Sequence, residues 1–314
     1  MLRILHDTNY DFIRWWRTAA GLTIAFIVIG LGSLAIKGGF DESVEFTGGT
    51  LMQLHFTGAP DQAKIRSALD AGGVHDAEIQ TFGTPNDYTI RARSDSGSAG
   101  ADSTSRKIST LLETGFGKDA FKVVRTELVG PTVGSELRRG AAIAIIVSFF
   151  VTLVYLAIRF DWRFGVAATI ATMHDILTTV AFMKIIHLEL SLTVIAALLT
   201  VIGYSLNDTI IIFDRVRENL RKNRREPLYN TLNRSVNETL PRSILTHATA
   251  LAATLALLFF AGEVIRPFAW VMAFGIVTGT FSSIYVASPI LLWIETKYPR
   301  ESEVKSRKPK PAQA

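Results

Sequence analysis

Apolar residues along this chain are gathered into long blocks with almost no charge inside them: 18–36, 141–158, 164–186, 190–213, 243–262 and 267–294. Each approaches or exceeds the ~20 residues that carry an α-helix across the hydrocarbon of a bilayer, so the pattern predicts six spanning helices. The last block is long enough to tilt or to begin with an interfacial turn. Between the first and second blocks lies a long polar stretch, read as one soluble domain inserted into a membrane bundle.

Within that stretch the periodicity changes. Residues 50–56 alternate as a strand, and 61–71 show helical spacing through Ala63, Ile65, Ala68 and Leu69, with Asp61 at the start and Gly72-Gly73 at the end. Residues 77–82 and 88–93 read as strands around a turn-rich 83–87, 94–103 as a Ser/Gly/Asp loop, 106–112 as a second helix and 121–128 as a last strand. The order βαββαβ is the split βαβ, or ferredoxin-like, arrangement. The expected fold is therefore an α-helical integral membrane protein with six transmembrane helices and an inserted α+β ferredoxin-like domain. Its predicted divisions are the N-terminus and first helix (1–37), the soluble domain (38–138), a five-helix bundle (139–296) with a basic loop at 214–242, and a disordered basic tail (297–314). In the basic loop Leu228, Leu232 and Val236 recur at helical spacing, which fits either an amphipathic helix on the membrane surface or a solvated linker.

Charge gives the bundle an orientation. The net charge is +5, and the basic residues cluster at one end of the spans: Arg14 and Arg17, then Arg159 and Arg163, then the loop from Arg215 to Arg242, then the tail. The opposite short loops offer only Lys184 and Arg266. By the positive-inside rule both termini are cytoplasmic and the soluble domain faces outward, periplasmic in a bacterial inner membrane. Arg14 and Arg17 followed by an apolar run resemble a signal peptide, with Ser33-Leu34-Ala35 as a cleavage site. The run has the length of a span rather than of a signal core, so an uncleaved anchor is expected.

Several classes of chemistry lack their residues. There is no cysteine, which excludes disulfides and thiolate metal sites. His6, His55, His75 and His187 have no ligand spacing, so no metal is expected. Gly115-Phe116-Gly117-Lys118 lacks the spacing and hydroxyl of a phosphate-binding loop, and no nucleophile elbow or zinc-protease motif is present. Neither catalytic residues nor an ATPase are expected, and no basic, aromatic face for nucleic acid is seen.

The candidates are charges at membrane depth, where each needs a physical reason. Asp175, beside His174, shares a stripe with Ala168, Ala171 and Thr178. Asp208, beside Asn207, is read as lying near the basic end of the fourth span, next to a stripe of Ala196, Thr200, Gly203 and Asn207. Arg242 follows Pro241, a helix-start signal, and heads a stripe through Thr246, Thr249 and Ala253. Asp208 and Arg242 then lie at similar depth and meet if their stripes face. A proton site or a static ion pair would both look like this. His174 and His247 are read as buried, hydrogen-bonded imidazoles rather than relays. Gly275, Gly279 and Ser283 form a small-residue ridge for close helix packing.

The segment Val201-Ile202-Gly203-Tyr204-Ser205-Leu206-Asn207-Asp208-Thr209, continuing through Phe213-Asp214-Arg215-Val216-Arg217-Glu218-Asn219, resembles the SecD/SecF family of the bacterial Sec translocon's accessory complex. So do Phe46-Thr47-Gly48-Gly49-Thr50, Val129-Gly130-Pro131-Thr132-Val133-Gly134, His174-Asp175 and Thr239-Leu240-Pro241-Arg242-Ser243. Ser43 and Glu45 stand where the family usually has Gly and Asp. The resemblance implies a SecF-like half that pairs with a SecD homologue in a twelve-helix unit related to resistance-nodulation-division transporters. It implies a proton gradient in place of any cofactor. The implied partners are the SecYEG channel and a translocating preprotein, with YajC and YidC as further ones. Asp208 becomes the proton-linked carboxylate, Arg242 its cationic partner and Asp175 a weaker transfer. Phe46, Thr47, Gly48 and Gly49 become a structural turn. The alternatives are half of a heteromeric proton-coupled exporter of lipids or small molecules, and a membrane assembly scaffold without energy coupling.

Overall fold

The computed structural model describes residues 8–37, 39–75, 77–92, 97–223, 226–262 and 264–299; the tail expected to be disordered lies outside them apart from its first residues. The chain divides into two compact units. One comprises Met1–Phe40, Ile146–Leu188 and Thr193–Ala314; the other comprises Asp41–Ile145 and Glu189–Leu192. The second thus takes in a short segment that the sequence had assigned to the membrane bundle.

After the first long helix, α1 (Trp16–Lys37), come a one-turn helix α2 (Val44–Thr47), β1 (Gly49–Phe56), α3 (Gln62–Ala71), β2 (Glu78–Phe82), β3 (Thr84–Ala92), α4 (Gly97–Phe116) and β4 (Phe121–Val129). The strands form one antiparallel sheet in the order β2-β3-β1-β4, the order that a split βαβ arrangement requires. Met52, Leu54 and Phe56 alternate inward from β1 and meet Ile65 and Leu69 of α3 and Ile108 and Leu112 of α4. Asp61 caps α3 by accepting a hydrogen bond from the Ala63 N–H at 3.0 Å.

Two boundaries differ from expectation. β3 begins at Thr84 because Gly83, at φ +76°, turns the chain so tightly that Thr84 pairs with Phe82 of β2, after which a register irregularity precedes the regular pairing from Tyr88. Helix α4 reaches back to Gly97, through part of the expected 94–103 loop, and an Asp102–Arg106 ion pair one turn apart supports that end.

The membrane helices are α1, α5 (Pro131–Arg159), α6 (Trp162–Ile185), α7 (Leu192–Lys222), α8 (Leu228–Phe260) and a final span made of α9 (Arg266–Ser282), a π-helical turn (Ser283–Ala287) and α10 (Ser288–Lys297). All six are long and apolar enough to cross a membrane, with α6, α7 and the final span most enclosed by protein. The expected spans are therefore present, but three are longer than read. Helix α5 starts at Pro131, with proline in the first turn where its missing N–H costs nothing. Helix α7 continues to Lys222. The predicted surface helix and the fifth span are a single helix, α8, with Pro241 in its interior rather than at its start. Of the stripe read as amphipathic, Leu232 and Val236 are buried in the core with Phe164, Phe213 and Val216, and Leu228 packs half-buried against it.

Candidate functional site

The two membrane aspartates are both buried, each only 1–2 % exposed. Their surroundings differ. Asp175 projects from α6 on the buried stripe of Ala168, Ala171 and Thr178. Its Oδ1 lies 3.0 Å from His174 Nδ1, and its Oδ2 accepts hydrogen bonds from Ser205 of α7 and from Ser282 of α9, the latter at 2.7 Å. A carboxylate so surrounded has its lone pairs claimed and ties three helices together.

Asp208 stands near the middle of α7, because the helix continues past the apolar block to Lys222. Its Oδ1 accepts one hydrogen bond, from Ser243 Oγ of α8 at 2.5 Å. Its Oδ2 has no hydrogen-bond partner among the described residues. Ser283 faces the same carboxylate, but its hydroxyl is engaged with Thr209 Oγ1 at 2.8 Å. The His247 ring is buried edge-on to Tyr204, 5.3 Å between centroids. Its Nδ1, like His174 Nε2, finds no partner among the described residues, while His174 Nδ1 contacts Asp175 of its own helix rather than a neighbouring one.

The π turn explains how two consecutive serines serve two sites. An extra residue in the turn lets Ser282 reach Asp175 while Ser283 reaches Thr209, and Ser288 closes the wide turn by donating to Ser283 O at 3.0 Å. The glycine ridge below it makes this approach possible. A Cβ on Gly275 would fall 2.3 Å from Val201 Cγ2, and one on Gly279 3.0 Å from Ser205 Cβ, so the ridge packs against α7 as expected.

Arg242 is not brought to Asp208. It is exposed, along with Thr246, Thr249 and Ala253, and among the described residues it forms no ion pair. The expected partner is replaced by its neighbour Ser243, which sits ~100° further round the helix and so faces inward where Arg242 faces out. The stripe of Ala196, Thr200, Gly203 and Asn207 is likewise exposed, so Asn207 lies on a different face from Asp208. The serines were missed because hydroxyls in an apolar span are common and mostly bond their own helix; only Ser283 had a signal, the small-residue spacing.

The other unit presents a second constellation around the segment 41–49. Phe46 is buried within the short α2, which ends at Thr47; Thr47 Oγ1 donates to Ser43 O, and Gly48 (φ +73°) and Gly49 (φ +132°) turn the chain into β1. Both backbones are ones that a side chain would disfavour. The segment clasps residues 189–192. Ser43 N–H donates to Leu190 O at 2.9 Å, Leu190 N–H to Asp41 O at 2.8 Å, and Leu192 N–H, the first of α7, to Glu45 Oε2 at 2.6 Å. Arg91 of β3 holds Glu189 at 2.5 Å, and Arg138 of α5 holds Glu42 at 2.5 Å. Among the described residues there is no cluster of His, Asp or Glu that could hold a metal ion.

Residues 109–297 match the family "Protein export membrane protein SecD/SecF, C-terminal". The chain is 63 % identical over 305 residues to a protein translocase subunit SecF of Gemmatimonas aurantiaca, covering 96 % of this chain and 91 % of that one. It is 39 % identical over 293 residues to a protein translocase subunit SecF of Vibrio alginolyticus, covering 93 % and 92 %. Its fold is similar to the crystal structure of SecDF, a translocon-associated membrane protein from Thermus, with a TM-score of 0.84 and 34 % identity; the alignment covers 94 % of this chain and 40 % of that longer one. With most of its length matched at this level, the chain belongs to the SecD/SecF family of protein export membrane proteins.

Proposed function

We propose that this chain is one half of a proton-driven export machine in the bacterial inner membrane, working with a SecD homologue and promoting preprotein movement through SecYEG on the periplasmic side, without an ATPase of its own. The observation that carries the reading is Asp208: a carboxylate buried near mid-helix with one oxygen held by Ser243 and the other unclaimed among the described residues. At membrane depth such an oxygen is a place to take up a proton, since a lone charge there is costly and protonation removes it. The energy is adequate: one charge crossing 100 mV is worth about 2.3 kcal/mol.

The exposed stripes of α7 and α8 are the surface offered to the second half. Both are made of small or polar residues that let backbones approach, and they carry Asn207 and Arg242 where a partner's groups would meet them. Arg242 then acts across that face rather than on Asp208 directly. Proton exchange at Asp208 loosens the Ser243 bond, α7 and α8 shift, and the clasp on Leu192 passes the movement to the outward α+β unit. Both termini are cytoplasmic in this arrangement, in keeping with the basic residues at that end.

A proton current in membrane patches holding the chain with its SecD partner, lost in Asp208→Asn together with proton-dependent export, is the expected result. An Asp208→Asn complex that still conducts and exports normally would overturn it. The scaffold reading draws on one observation, the fully bonded Asp175; it requires that the unsubstituted complex carries no proton current at all.

A further inference from the structure

The membrane unit has an apolar groove of about 600 Å³ that the proposed export cycle does not use. Its walls are Trp16 and Ile24 of α1, Ile170 of α6, and Tyr285, Ile290 and Trp293 of the final span. The walls run along α1 from Trp16 to Ile24, roughly 12 Å at 1.5 Å per residue, and the deep end lies beside His174. The shallow end is different in kind. Arg17 lies over the Trp16 ring at 5.5 Å and Lys297 over the Trp293 ring at 5.0 Å, so each tryptophan of the rim carries a cation. Both cations are exposed, and neither forms an ion pair among the described residues. Arg163, at the same end, is by contrast engaged by Asp161, Glu295 and the Tyr298 carbonyl.

A slot that is apolar in its depth and rimmed by tryptophan and by cations without an ion-pair partner among the described residues matches one kind of occupant. We propose that the groove is a binding site for an anionic phospholipid of the leaflet at the basic end. One acyl chain lies along α1 between Ile24 and Ile290, the glycerol region rests against Trp16 and Trp293, and the phosphate is held by Arg17 and Lys297. Tryptophan favours that depth because its ring is apolar and its N–H is not. Two basic side chains near an anionic surface give roughly a thirtyfold preference over a zwitterionic lipid. Nothing in the chemistry of Asp208 depends on this site, and its failure would leave the proposed function untouched.

The test is native mass spectrometry of the chain purified with its SecD partner, stripped of lipid and supplied with phosphatidylglycerol or phosphatidylcholine. The unsubstituted complex should retain one phosphatidylglycerol with the preference above. R17Q combined with K297Q, both on the surface, should bring that preference near unity while phosphatidylcholine still binds. Ala20→Phe, in the groove wall, should abolish retention of both lipids. A photo-crosslinker at Ile24 should label lipid. Equal retention of the two lipids by the unsubstituted complex, selectivity unchanged in the double variant, or crosslinks that run to the partner's helices would each overturn the proposal.

Discussion

Glu45 and Leu192 are 147 positions apart and joined by a 2.6 Å hydrogen bond from the Leu192 N–H to the Glu45 carboxylate. Leu192 is the first residue of α7, where backbone donors have no partner within the helix and the helix dipole favours negative charge. Glu45 therefore fills the role of a capping residue supplied from far away in sequence. The family's usual aspartate has a shorter arm, and Ser43, which donates to the same Glu45 oxygen at 3.3 Å, helps to hold the longer one in place.

Removing the carboxylate should cost about 1–2 kcal/mol, the ordinary worth of a helix cap with a favourable charge. Glu45→Ala is expected to show this loss in thermal unfolding of the purified complex, and Glu45→Gln, which keeps an acceptor, a smaller one. The functional signature is a split: proton current close to normal, with export reduced, because the clasp holds Leu192, the first residue of α7, within the α+β unit. Equal losses of current and export would point to misfolding and against a linkage.

The two aspartates should part company on substitution. Asp175→Ala leaves His174, Ser205 and Ser282 without their common acceptor. Orphaning buried donors in this way costs roughly 2–5 kcal/mol, visible as a lower unfolding temperature and poorer yield. Asp175→Asn keeps the volume and part of the bonding and should still conduct protons. Asp208→Asn should be stable and silent. Reversed behaviour, with conduction lost at Asp175 and kept at Asp208, would move the proton site to α6.

What the sequence disclosed follows from how far each signal reaches. Hydrophobic length revealed the six spans and period-two alternation the strands, because both are properties of a segment alone. Asp61 and Gly72 marked the ends of α3 for the same reason. Which face of α7 turns inward was not legible, since Gly203, Asn207 and Thr200 look like packing residues in isolation, and they are exposed in this chain. Pro241 read as a start signal, yet α8 runs through it, as membrane helices do when neighbours satisfy the freed carbonyl. Ser243 was hidden behind the more conspicuous Arg242. The clasp on Leu192 was invisible because it joins residues 147 positions apart.

In the α+β unit, Asp87 gives a pH dependence. Its carboxylate accepts a 2.6 Å hydrogen bond from Thr84 Oγ1 and lies 2.6 Å from His55 Nδ1, directly across the β1–β3 ladder. The Thr84 bond first, and His55 second, hold the carboxyl below its ordinary value of 3.8. A depressed folded-state value means the contribution is fully present above that ordinary value and fades as pH falls through the lower one. Stability of this hairpin end should therefore drop below about pH 4, and Asp87→Asn should flatten the drop. Amide exchange of β3 followed from pH 6 to pH 3 reads it; an identical acid profile in the variant would exclude Asp87 as the source.

The last prediction concerns α1, which approaches α6 very closely at Gly30. A Cβ built on Gly30 would lie 2.4 Å from Ala181 Cβ and 2.6 Å from its Cα, and a backbone atom cannot swing aside. The two helices would have to separate, disturbing the stacked Phe26, Phe274 and Phe182 rings beside them. Overpacking of this kind costs typically 1–3 kcal/mol, so Gly30→Ala should lower the unfolding temperature by several degrees. Gly32 on the same helix provides the control, because a Cβ there meets nothing within 4 Å. Gly32→Ala should be neutral or slightly stabilising, as the change favours helix in an unobstructed position. If both variants unfold at the same temperature, the contact between Gly30 and Ala181 is not what fixes α1 against the bundle.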